Sequence, residues 1–176
     1  GTSGTELKGK KLGIHAFGQV GRNVARIAKG FGMEVFAFDP YCPASVMEAE
    51  GVKPITDINE LYSTCQYVSL HIPATNETKK SINYALLKQM PKGAMLINTA
   101  RKEVINEEEL VQIMDERPDF RYVSDITPDN ASVFAEKFTG RYFFTPKKMG
   151  AQTAEANINA GIAAAKQSVG FLKEGI

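Results

Sequence analysis

Ala16-Phe17-Gly18-Gln19-Val20-Gly21 ends a short apolar, β-branched run at 12–17 and opens a segment of helical period that continues to about Gly30; Asp39 closes the next apolar run. A strand-to-helix turn of this kind can cradle a pyrophosphate. Its second small position lets the backbone approach, its third lets helix and strand pack closely, and the helix N-terminus presents N–H groups and a positive dipole. Gly18 and Gly21 fill those two positions, while Ala16 stands first, where glycine is usual. That substitution sets an expectation of negative φ at Ala16, because a β-carbon is poorly tolerated in the left-handed region. An acidic residue about 20 positions on accepts hydrogen bonds from the adenosine ribose, and Asp39 fits. Its carboxylate would repel a 2′-phosphate, and Pro40-Tyr41 brings no arginine to receive one. The pattern therefore selects NAD over NADP, with contacts expected from Phe17, Gly18, Gln19, Val20, Gly21, Asp39 and Pro40.

On either side of this turn the chain keeps alternating. Further strands are predicted at 35–38, 67–72, 95–99, 121–125 and 142–145, with a weak one at 52–55. Asp57 followed by Glu60 suggests a capped short helix, and Asn106 before Glu107, Glu108 and Glu109 suits the positive end of another. Ile158, Ile162, Ala165, Val169 and Leu172 form an apolar stripe, predicting a last helix over about 153–174. Strands alternating with helices require crossovers, hence an α/β, Rossmann-type doubly wound parallel sheet with helices on both faces, in a single domain at 11–176. The stretch 127–140 fits least well and is read as a loop with one helical turn.

The chain has 176 residues, with 21 basic and 20 acidic side chains and a net charge of +1. That balance gives no electrostatic case for nucleic acid or an anionic membrane as partner. No run approaches the roughly 20 apolar residues that span a bilayer, and the start lacks a signal-peptide layout, so a cytoplasmic protein is expected. Cys42 and Cys65 have no metal-ligand spacing and read as free thiols; no metal site is expected. The glycine- and threonine-rich residues 1–10 read as an incoming linker.

Six ordered motifs carry a resemblance: T-E-L-x-G-K-K-L-G-I from Thr5, the glycine turn through Arg22, F-D-P-Y from Phe38, H-I-P-A-T-x-x-T from His71, I-N-T-A-R from Ile97 and T-P-x-x-M-G-A-Q-T from Thr145. Together they resemble the nucleotide-binding domain of the D-2-hydroxyacid dehydrogenases, nearest the phosphoglycerate dehydrogenase branch. The resemblance implies that Arg101 holds a substrate carboxylate by a bidentate pair, that Asn98, Thr99 and Ala100 line the nicotinamide ribose, and that Asp125 contacts the carboxamide. It places His71, Pro73, Thr78 and Gly150 beside the cofactor, with His71 not the catalytic acid; His15 reads as a core residue. It further implies a substrate domain outside this chain, a homodimer, and a fragment that binds NAD without turning over substrate. The implied reaction is NAD-dependent oxidation of D-3-phosphoglycerate, a phosphorylated 2-hydroxy acid, in serine biosynthesis. An NAD-sensing regulatory module of the same fold and a dehydrogenase for another D-2-hydroxy acid are the alternatives; retention of Arg101 favours an enzyme.

Two departures from the family pattern fall together. Lys147 stands where the family has its acid/base histidine, with Lys148 adjoining through an apparent extra residue, and Asn130 stands where the partner glutamate is usual. A histidine of pKa about 6.5 needs a carboxylate to orient and charge it, whereas a lysine of pKa about 10.4 does not. Lys147 or Lys148 is therefore the expected proton-transfer residue, the plainer alternative being surface charge or phosphate binding. Lys102, where glycine is usual, reads as a solvent-exposed lysine.

Overall fold

The computed structural model describes residues 7–145. Seven strands form one sheet: β1 (Lys11–His15), β2 (Glu34–Phe38), β3 (Lys53–Pro54), β4 (Tyr67–Leu70), β5 (Met95–Asn98), β6 (Arg121–Ser124) and β7 (Tyr142–Phe144). Their order is β3-β2-β1-β4-β5-β6-β7, parallel throughout. The chain winds outward from β1 to β3, then returns to lay β4 on the other side of β1. Ligands in open α/β sheets bind at such a reversal, outside the carboxyl ends of the strands.

Every residue of β4 and β5 is buried, as a strand covered on both faces requires. The core accordingly divides into two clusters, one per face. Helix α1 (Gln19–Gly30) packs Val24, Ala25 and Ala28 with Leu12, Ile14 and Val35 on one of them. On the other, α3 (Ile58–Thr64) brings Leu61 and Cys65 so near β1 that a β-carbon on Gly13 would lie 3.0 Å from each. Helix α5 (Glu107–Glu116) and α6 (Ala131–Lys137) cover the same face further along. Helix α2 (Ala44–Ala49), the single turn α4 (Tyr84–Leu87) and a 3-10 turn at Lys102–Val104 complete the described set.

Local signals explain the boundaries. Asn106 caps α5 by accepting from Glu109 N, and three glutamates occupy its first turn. Asp57 caps α3 by accepting from Asn59 N. The strands stop at His15, Leu70, Asn98 and Ser124, one or two residues short of the expected ends, with one further backbone bond made from each of Ala16, His71 and Asp125. Where a loop with one turn was expected, α6 runs for 7 residues, fixed by Phe134, whose ring lies 5.3 Å from those of Phe138 and Phe144. Among the described residues no helix is long and apolar enough to cross a membrane. The helix expected over 153–174 lies outside the described residues, as do residues 1–6 of the expected linker.

Candidate functional site

The turn after β1 corrects one expectation. Ala16 adopts φ +83°, in the left-handed region, where a negative φ was expected. Its N–H extends the ladder by donating to Phe38 O at 2.8 Å, and the chain must then reverse within two residues to start α1. Buried Phe17 anchors that reversal. The carbonyl of Ala16 comes to lie so close to α1 that a β-carbon on Gly21 would sit 2.6 Å from it. Gly18 stands at the N-cap of α1, and no described residue comes within 4 Å of a β-carbon placed there. Among the described residues no side chain caps α1, and no acidic residue stands in its first turn. An open, uncapped N-terminus of a 12-residue helix suits a pyrophosphate, with Gln19 and Val20 in that first turn.

Asp39 links this turn to β2. Its Oδ2 accepts from Phe17 N and its Oδ1 from Tyr41 N, both at 2.8 Å. A carboxylate oxygen has two acceptor sites, so each retains one for a ribose hydroxyl. Beside it opens a cleft of about 630 Å³. Phe38, Asp39, Pro40 and Tyr41 form one side, Ile72, Pro73 and the loop to Thr78 the other, and His15 and Ala16 lie at the strand end. Apolar walls around a few polar groups are what a purine nucleoside requires. Thr78 lines the cleft, but its hydroxyl is engaged within its own loop: it donates to Pro73 O and accepts from Thr75 N. Tyr41, 89% exposed, and His15 also line the cleft, though neither was among the expected cofactor contacts.

His15 is half-buried. Its ring meets Phe38 and Tyr62 edge-on, and its Nδ1 lies 3.0 Å from the Tyr62 hydroxyl. Burial pushes its pKa down to about 4, with Asp39 opposing. The reading of His15 as a packing residue thus describes one edge of the ring.

The other half of the site follows β5. Asn98 is fully buried; its Oδ1 accepts from Ala100 N at 2.9 Å, and its Nδ2 donates to Arg101 O and Tyr122 Oη, each at 3.3 Å. Its side chain therefore shapes the loop carrying Ala100 and Arg101. Thr99 Oγ1 donates to Leu70 O and lies 3.0 Å from His71 Nδ1, while His71 Nε2 lies 2.8 Å from Ser69 Oγ. A consistent chain has Ser69 donating to Nε2 and Nδ1–H donating to Thr99. Burial, aided by nearby His15, drives the His71 pKa down to about 3, so the ring is neutral and held on both nitrogens. It is positioned as a structural element of the loop.

Asp125 is buried at 7% exposure just beyond β6, with its N–H donating to Asn98 O. Arg101 is exposed and pairs with Glu103 at 3.3 Å. Lys102, only partly exposed, pairs with Asp129 at 2.7 Å. Asn130 is half-buried and donates to Glu107 O. Lys147, Lys148 and Gly150 lie outside the described residues.

The chain matches, over residues 1–142, the family described as D-isomer specific 2-hydroxyacid dehydrogenase, NAD binding domain. It is 39% identical over 176 residues to D-3-phosphoglycerate dehydrogenase 2, chloroplastic, of Arabidopsis thaliana, covering 97% of this chain and 27% of that protein. It is 35% identical over 169 residues to D-3-phosphoglycerate dehydrogenase of Methanocaldococcus jannaschii, covering 93% of this chain and 31% of the relative. Among solved structures, the NAD⁺-bound 3-phosphoglycerate dehydrogenase of Entamoeba histolytica is similar with a TM-score of 0.76 and 46% identity, over 97% of this chain and 54% of that one. The chain thus spans less than a third of these two curated relatives and about half of the solved chain. The glycine turn, the Asp39 carboxylate and the adjoining cleft are the features such a domain needs, and the chain belongs to the D-isomer specific 2-hydroxyacid dehydrogenase family as its NAD-binding domain.

Proposed function

We propose that this chain supplies the cofactor half of a D-3-phosphoglycerate dehydrogenase. The relatives named above support the substrate class, and one observation carries the cofactor half: Asp39 joins the glycine turn to β2 while lining the cleft. NAD, when bound, supplies the hydride acceptor for oxidation of a 2-hydroxy acid. The uncapped start of α1 then binds the pyrophosphate and Asp39 the ribose hydroxyls, while neutral His71 holds the β4 and β5 loops without exchanging a proton. Arg101, exposed at the end of the β5 loop, is placed to exchange Glu103 for a substrate carboxylate, which a guanidinium holds by two parallel hydrogen bonds.

Lys147 or Lys148 is the proposed proton carrier. As an ammonium it protonates a keto oxygen; alcohol oxidation requires the neutral amine, so oxidation by the complete enzyme should have an alkaline optimum. A rate already level at about pH 6.5 would exclude a lysine base. Alanine at each position separates the roles: loss of proton transfer lowers kcat, whereas loss of a phosphate contact raises KM. The chain by itself should bind NAD in preference to NADP and show no steady-state oxidation of D-3-phosphoglycerate. Titration calorimetry and an NADH absorbance assay test both statements, and turnover by the 176-residue chain would refute the second. A homodimer is part of the same family-based proposal, checked by sedimentation.

A further inference from the structure

Alternation along β1 puts His15 on the same face as Gly13, the face packed by α3. There its Nδ1 meets the hydroxyl of Tyr62, which is fully buried and has no other hydrogen-bond partner among the described residues. Burial raises the phenol pKa above its ordinary value, so Tyr62 keeps its proton. If Nδ1 carried a hydrogen, the phenol hydrogen would be left without an acceptor in an apolar core of Leu61, Leu70 and Ile72. The arrangement that satisfies both groups has Tyr62 donating to Nδ1, which leaves the hydrogen on Nε2. The two nitrogens of an imidazole point to different sides of the ring. One edge of His15 is therefore anchored in the core, and the ring itself lines the cleft with Asp39 and Ile72. No described residue accepts from Nε2.

We propose that His15 is a specificity-determining residue of the cofactor cleft, donating from Nε2 to an acceptor on the adenosine moiety, either a purine ring nitrogen or a ribose oxygen. This role rests on NAD binding at the same cleft. Asp39 offers only acceptors and His15 a neutral donor, so together they select a ligand carrying hydroxyl donors and a ring acceptor. Tyr62 is the positioning residue that holds the tautomer.

The test uses the full 176-residue chain labelled with ¹⁵N at histidine. The His15 Nε2 signal should show a bonded hydrogen, and it should shift on addition of adenosine monophosphate. In Tyr62→Phe the two nitrogens should move toward averaged shifts as both tautomers become populated. His15→Leu should weaken NAD and adenosine monophosphate about 3- to 10-fold, the range for loss of one neutral hydrogen bond, and His15→Gln, which retains an N–H donor, should recover part of it. An Nε2 signal indifferent to adenosine monophosphate, or a folded His15→Leu chain that binds NAD as the parent does, overturns the role of His15 and leaves the cofactor assignment standing. A parent chain that binds no NAD overturns both.

Discussion

At Ala16 a β-carbon occupies backbone with φ +83°, a conformation that costs an L-residue about 1–2 kcal/mol. Replacing it by glycine relieves that strain but adds freedom to the unfolded chain, so Ala16→Gly should stabilise by about 1 kcal/mol or less, read as a higher urea midpoint. Five residues on, Gly21→Ala should have the opposite sign. Its β-carbon would meet the Ala16 carbonyl at 2.6 Å, a backbone atom that cannot rotate away, and the loss should be about 1–3 kcal/mol with weaker NAD binding. The buried histidines give a third expectation. His15 and His71 have folded pKa values of about 4 and about 3, both below the unfolded value of about 6.5, so the unfolded chain binds more protons over that interval. Their contribution is complete above about pH 6.5 and is lost as pH falls toward the folded values, on the order of a few kcal/mol. His71→Asn should flatten that decline in denaturant titrations repeated between about pH 7 and 4.

Among the elements, α5 and α6 show two ways of starting a helix. Asn106 caps α5 directly and glutamates fill its first turn, so its start can be read from residue types alone. Removing that cap with Asn106→Ala should cost about 1 kcal/mol in chemical unfolding. At α6 the residue in the N-cap position, Asn130, makes no cap and instead donates to Glu107 O, joining α6 to the start of α5. The helix is secured by Phe134 among Tyr122, Phe138, Tyr142 and Phe144, and all of these contacts but that with Phe138 join separate segments, which periodicity within one stretch cannot reveal. Phe134→Ala should therefore lose about 3–5 kcal/mol, far more than a seven-residue surface helix would suggest.

For the whole molecule, the seven strands were legible because a doubly covered parallel sheet demands short, nearly continuous apolar runs, and Tyr67–Leu70 and Met95–Asn98 are such runs. The carboxyl edge was legible for the same reason: Asp39, Thr99, Arg101 and Asp125 all lie at or just past the carboxyl ends of expected strands. Two features were not. Ala16 adopts a positive φ because Gly21 and Phe38 constrain it from other elements, and His15 turns one edge to a helix and lines the cleft, which a one-dimensional alternation reads as core alone. Binding should also be visible globally. At NAD concentrations about 100 times its Kd, the folded state should gain about 2.7 kcal/mol, seen as a higher Tm that Asp39→Ala abolishes.

Because Asp39 holds Phe17 N and Tyr41 N as well as facing the cleft, redesigning this protein for a 2′-phosphorylated cofactor is an architectural problem before it is one of charge. An alanine there would leave the turn amide without its acceptor and disturb the phosphate end of the site together with the ribose end. Asp39→Asn removes the charge and, with its one acceptor oxygen turned to Phe17 N, keeps the turn amide paired at the expense of Tyr41 N, so it is the sounder starting point, with an arginine introduced elsewhere on the cleft rim.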